Sequence, residues 1–85
     1  MSWRVGLARD AKKELARLPA AVQKRVARSI LALETEPFPA GCRKLKNRDG
    51  WRVRVGEYRI LYFADKPARE IVVGVIAHRK DVYRK

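Results

Sequence analysis

The chain has 85 residues and a formal net charge of +12, from 21 Lys and Arg against 9 Asp and Glu: enough for one domain, expected over residues 1–85, and a charge that calls for a polyanion such as nucleic acid, an anionic membrane surface or an acidic protein. With one cysteine and one histidine, an intrachain disulfide, a thiolate zinc site and a histidine-rich metal site are excluded, so no metal or cofactor is expected. No apolar run is long enough to span a bilayer and the first residues carry no secretory core, which predicts a cytoplasmic protein with no membrane partner.

Trp3 to Leu7 alternates apolar residues with polar or small ones and reads as a short first strand. Asp10 is placed to cap a helix beginning at Ala11, in which Ala11, Leu15 and Leu18 recur at helical spacing. Pro19 breaks that helix and stands at the head of the next. From Ala20 to Glu34 the residues Val22, Val26, Ile30 and Leu33 form one apolar stripe, and Pro37 ends the element. These two helices are expected to make a hairpin that packs on a sheet and leaves its basic residues in solvent. Ala40 to Gly50 is polar and basic, and is expected to be a loop anchored by Leu45. Its Arg43, Lys44, Lys46 and Arg48 are candidate RNA-binding residues at phosphates. Cys42 has no neighbour in the sequence that would activate a thiolate, and is assigned no role.

Trp51 to Ala64 has the pattern of a β-hairpin. Trp51, Val53 and Val55 alternate with Arg52 and Arg54, and Gly56-Glu57 has the length and leading glycine of a type II′ turn. A two-residue turn fixes the register: Val55 faces Tyr58, Arg54 faces Arg59, Val53 faces Ile60 and Arg52 faces Leu61. Val53, Val55, Tyr58 and Ile60 then share one side, and Arg52, Arg54 and Arg59 the other. Like charges directly opposite one another are destabilising. Three guanidinium groups on one patch therefore read as a place held for an anion, although arginine stems also cover apolar surface on ordinary solvated faces.

After a polar connection at Asp65 to Arg69, Glu70 to Ala77 is almost continuously apolar and is expected to be a strand buried on both faces in the middle of the sheet. It delivers His78, Arg79, Lys80, Asp81, Val82 and Tyr83 at its exit, where polar residues on a rigid support make functional candidates. The order β-α-α-β-β-β implies an α+β fold, a small, mostly antiparallel sheet with a two-helix hairpin on one face.

Two motifs give the chain a resemblance to the RelE/ParE superfamily of bacterial toxins, and more closely to its RelE-like branch. Val55-Gly56-Glu57-Tyr58-Arg59-Ile60-Leu61-Tyr62 resembles the family's Gly-x-Tyr-Arg hairpin, and His78-Arg79-Lys80-Asp81-Val82-Tyr83 its C-terminal signature. The resemblance implies a RelE-like fold and the toxin of a type II toxin-antitoxin system, a ribosome-dependent endoribonuclease that cuts mRNA in the decoding site. It also implies a cognate acidic, RelB-like antitoxin, with operator DNA bound only through that antitoxin.

Carried onto this sequence, the family's basic residues before the turn fall on Arg52 and Arg54, its arginine after the turn on Arg59, its arginine after the last strand on Arg79 and its C-terminal tyrosine on Tyr83. The best-known members carry lysine where Arg52 and Arg54 stand. Lysine can exchange a proton and arginine cannot, so the proton-transfer role moves elsewhere. The expected reaction is attack of the RNA 2′-hydroxyl on its adjacent phosphorus. Arg54, Arg59 and Arg79 would hold the phosphate, and Arg52 would help position it. Tyr83 is the first choice for proton transfer, since clustered positive charge lowers a phenol from its ordinary pKa of ~10. His78 is chemically the easier base, but strand alternation sets it on the face opposite Arg79. The competing readings are a ParE-like toxin that poisons DNA gyrase by protein contact and a non-catalytic RNA-binding module.

Overall fold

A computed structural model of the protein describes residues 2–46 and 48–80. Strand β1 (Arg4–Leu7) is followed by helices α1 (Arg9–Arg17) and α2 (Ala20–Ala32), then by strands β2 (Arg43–Lys44), β3 (Trp51–Val55), β4 (Tyr58–Asp65) and β5 (Glu70–His78). The strands form a single mixed sheet in the order β1-β5-β4-β3-β2. β1 runs parallel to β5 and the remaining pairs are antiparallel. This is the expected α+β architecture, with one strand more than the sequence suggested. No helix among the described residues is long and apolar enough to cross a membrane.

The helices lie on one face, because that is where the apolar stripes point. Ala11 of α1 and Val26 and Ile30 of α2, with Leu33 just beyond it, meet Val55, Ile60, Tyr62, Ile71, Val73 and Ile76 of the sheet in one buried cluster. The valine, leucine and isoleucine side chains among them contribute about 1.5–3 kcal/mol each when fully buried. The cluster is closed at one end by Phe38, whose ring lies 4.7 Å from that of Trp51 and 6.1 Å from that of Trp3. The buried Tyr62 hydroxyl donates to the carbonyl of Pro37 at 2.7 Å, tying the segment after α2 to the sheet.

Four local expectations are corrected. Asp10 does not cap α1: the helix begins two residues earlier, at Arg9 with Ala8 as the N-cap, and Asp10 sits in the first turn, where its charge suits the helix dipole. α2 ends at Ala32, two residues before the expected Glu34, its last turn tightened by the Leu33 and Glu34 amides bonding back three residues. Within the expected loop, Arg43 and Lys44 pair with Arg52 and Trp51 as a two-residue edge strand. Finally, β5 is not buried on both faces. The helices cover one side only, and Val72 is 47% exposed on the other. A register shift opposite Leu61 and Tyr62 leaves Gly74 as an extra residue in β5, which re-phases the strand so that Ile71, Val73 and Ile76 all face the helices.

The link from β2 to β3 is compact. The Leu45 amide donates to the Gly50 carbonyl at 3.0 Å, and Leu45 packs on Leu61 and Ala77 on the open face. Gly50 has φ +118°, and a Cβ there would come within 3.1 Å of the Tyr62 carbonyl and 3.2 Å of Leu45. That turn therefore requires glycine.

Candidate nucleic-acid interface

The hairpin register is the one its two-residue turn dictates. Val55 pairs with Tyr58, Arg54 with Arg59, Val53 with Ile60 and Arg52 with Leu61. Gly56 has φ +59°, whereas Glu57 is not among the residues of positive φ, as a type II′ turn requires. Strand alternation then puts Arg52, Arg54 and Arg59 on the face that the helices leave open.

β2 extends this patch sideways. One row of the open face runs Arg43, Arg52 and Leu61, and the next runs Arg54, Arg59 and Ala77. Arg43, Arg52, Arg54 and Arg59 line a pocket of about 310 Å³. Beside it lies a groove of about 830 Å³, lined by Arg43, Lys44, Lys46, Arg48 and Arg52, with Leu45 and Leu61 as its apolar contacts. The groove and the pocket share Arg43 and Arg52. The expected phosphate contacts of the 40–50 segment and the hairpin arginines thus form one continuous basic surface.

Within it the side chains differ in freedom. Arg54 projects into solvent, whereas Arg52 and Arg59 are half-buried and Nη1 of Arg59 is withdrawn from solvent. Arg79 stands just past the end of β5. Its Nε donates to the Glu57 carboxylate at 2.8 Å, and its backbone amide donates to the Glu57 carbonyl at 2.8 Å. In the sequence Glu57 reads as a turn residue and as the variable position of the Gly-x-Tyr-Arg motif, with no partner assigned. A lone acid at the tip of a hairpin carrying three arginines was the available signal for a partner.

His78 belongs to the other face. It pairs with Tyr58 across β4 and β5, its ring meets the Tyr58 ring edge-on at 5.4 Å, and its Nδ1 accepts the Lys80 amide at 3.3 Å. With Nδ1 occupied as an acceptor, the neutral ring carries its proton on Nε2. Tyr83 lies outside the described residues. Cys42 borders the groove and contacts the Tyr62 hydroxyl, whose ionisation is pushed well above the ordinary phenol range, chiefly by burial and then by that thiol.

Chemically, the surface is a set of fixed cations. Planar guanidinium groups match phosphate oxygens with two parallel hydrogen bonds, remain charged at all working pH values and do not exchange protons. It can bind and neutralise a phosphate, but the arginines cannot serve as the base. Among the described residues, no group of three His, Cys, Asp or Glu side chains is placed to hold a metal ion.

Comparison with known proteins gives a consistent result. The family model for the ParE toxin of type II toxin-antitoxin systems, parDE, matches residues 5–83. The curated RelE1 protein of Methanocaldococcus jannaschii is 30% identical over 88 residues, spanning 99% of this chain and 98% of that protein. The archaeal RelE–RelB complex from Pyrococcus horikoshii OT3 superposes with a TM-score of 0.83 at 29% identity, over 93% of this chain and 97% of the matched one. The RelBE2 toxin-antitoxin complex of Mycobacterium tuberculosis gives a TM-score of 0.82 at 24% identity, over 93% and 100% of the two chains, a likeness of fold.

Proposed function

The chain belongs to the RelE/ParE superfamily, as a RelE-like toxin of a type II toxin-antitoxin system, and from that membership we propose that it is a ribosome-dependent endoribonuclease acting on mRNA. The observation that carries this reading is the pairing of Arg54 with Arg59 beside Arg43 and Arg52, four cations around one pocket on the open face of the sheet. A fold that needed this face only for stability would not set like charges opposite one another.

In the proposed reaction the 2′-hydroxyl oxygen bonds to the adjacent phosphorus and the bond from phosphorus to the 5′-oxygen breaks. The products are a 2′,3′-cyclic phosphate and a free 5′-hydroxyl. Arg54, Arg59 and Arg79 hold the phosphoryl oxygens and stabilise the charge that builds on them. Arg52 orients the backbone, while Arg43, Lys44, Lys46 and Arg48 grip the flanking phosphates. The proton leaving the 2′-hydroxyl passes through Tyr83, and the 5′-oxygen departs protonated. His78 takes no proton in this scheme, since it faces the helix side and its Nδ1 is engaged by Lys80. The arginines cannot serve as the base, so much of the acceleration comes from holding the RNA in line for attack, a task that falls to the ribosome.

The partner proposed for the free toxin is an acidic antitoxin, matched to a net charge of +12; the Pyrococcus relative is itself seen in complex with RelB. Operator DNA is contacted through that antitoxin, and the toxin acts in the cytoplasm, where ribosomes are. The deciding experiment adds purified, antitoxin-free chain to a defined mRNA with and without programmed ribosomes, and maps cuts by primer extension. Cuts in the decoding site that require ribosomes support the reading; binding without scission supports a non-catalytic RNA-binding module.

A second reading follows from the ParE description of the matching family model. A ParE-like toxin would poison DNA gyrase, and expression in cells would then induce DNA damage ahead of any translation arrest. The opposite order supports the mRNA reading.

A further inference from the structure

We propose that Glu57 is a positioning residue for Arg79, setting the guanidinium that grips the phosphate; the proposal rests on the RNA-cleaving function above. Arg79 lies in the turn that follows β5, one residue past the last strand pair, and arginine is among the most flexible side chains. Glu57 fixes it twice. The backbone bond from the Arg79 amide to the Glu57 carbonyl prolongs the β4–β5 pairing one residue beyond Tyr58 and His78. The carboxylate then receives Nε of the same residue at 2.8 Å.

The choice of nitrogen matters. A guanidinium bound through Nε keeps its two Nη groups available, and with them a fork that can meet a phosphate. Glu57 is also the turn residue between the strands that carry Arg54 and Arg59, so one short hairpin sets the spacing of all three arginines.

Stability does not account for the pair. Its side chains are 56% and 60% exposed, and ion pairs so exposed to solvent add little to folding. Nor does RNA affinity, because an acid beside a phosphate site opposes RNA binding. That opposition yields a discriminating test. If Glu57 acted only through its charge, its removal would improve both binding and cleavage. As a positioning residue, its removal leaves binding unchanged or tighter and slows the chemical step.

The experiment measures single-turnover cleavage on programmed ribosomes for wild type, Glu57→Ala, Glu57→Gln, Arg79→Ala and the Glu57→Ala/Arg79→Ala double variant, with fold checked by circular dichroism. Glu57→Ala is expected to lower the maximal rate at least about tenfold, as misplacement of a reacting group does, without raising the half-saturating ribosome concentration. Glu57→Gln, which retains an acceptor for Nε, is expected to recover part of the loss. In the Arg79→Ala background the Glu57 substitution is expected to have no further effect. A Glu57→Ala protein that cleaves at the wild-type rate or faster, or an equal loss in both backgrounds, overturns the proposal. A wild-type protein that does not cleave overturns the functional reading and this proposal with it, so the two failures are distinct.

Discussion

Arg54 lies directly opposite Arg59 across the β3–β4 ladder, two guanidinium-bearing residues paired where a sheet normally sets unlike or apolar neighbours. A cross-strand pair of like charge costs a few tenths to about 1 kcal/mol. Arg54 is the exposed member, so its side chain can be exchanged without opening the core. Arg54→Thr is therefore expected to raise stability by up to about 1 kcal/mol in urea denaturation while strongly reducing cleavage. Loss of stability together with activity would mean that Arg54 serves the fold.

Gly56 anchors the same hairpin. Its φ of +59° is unfavourable for any residue with a Cβ, and an added Cβ would also approach the Arg25 guanidinium at 3.4 Å. Gly56→Ala is expected to destabilise the protein by about 1–3 kcal/mol in chemical denaturation. Because the turn also sets Arg79 through Glu57, cleavage should fall even at temperatures where the variant remains folded.

The Tyr62 hydroxyl offers a pH signature of the core. Burial pushes its ionisation well above the ordinary phenol value of about 10. Above that pH the unfolded chain loses the phenolic proton while the folded chain keeps it, so the unfolded state binds fewer protons and stability falls as pH rises. The stabilising effect is fully present below pH about 10 and is lost above it. Tyr62→Phe is expected to abolish this part of the alkaline slope, read as the difference between the two proteins' denaturation curves from pH 8 to 11. At neutral pH it should also cost about 1 kcal/mol, since the Pro37 carbonyl loses its donor.

The groove residues should behave as phosphate contacts. Replacing Lys44 or Arg48 by alanine is expected to weaken single-stranded RNA binding similarly for unrelated sequences. Each change should reduce the slope of log affinity against log salt by roughly 0.7. A loss confined to one sequence would instead assign that side chain to base recognition.

Much of this was legible in the sequence where a local rule had a single outcome. Gly56-Glu57 allows only one short-turn register, and that register alone put Arg52, Arg54 and Arg59 on one face, as found. The Val22, Val26, Ile30 and Leu33 stripe placed α2 on the sheet for the same kind of reason. β2 escaped because a two-residue edge strand of Arg43 and Lys44 has no strand periodicity; Leu45 beside it is held by packing on Leu61 and Ala77, far along the chain. The exposure of Val72 escaped because an apolar run does not report how many faces have cover, and two short helices cover only one. The Glu57–Arg79 pair escaped because it joins residues 22 positions apart through a ladder whose register depends on the bulge at Gly74.

Attack by an RNA 2′-hydroxyl is the step that this surface is proposed to promote. Its most direct test is cleavage of a ribosome-bound mRNA carrying one 2′-deoxynucleotide immediately 5′ of the mapped cut, beside the all-ribose control. Loss of that cut, with a cyclic phosphate on the control product, is the predicted result. An undiminished cut at the deoxy position would contradict the mechanism, since the attacking oxygen would then have to come from elsewhere.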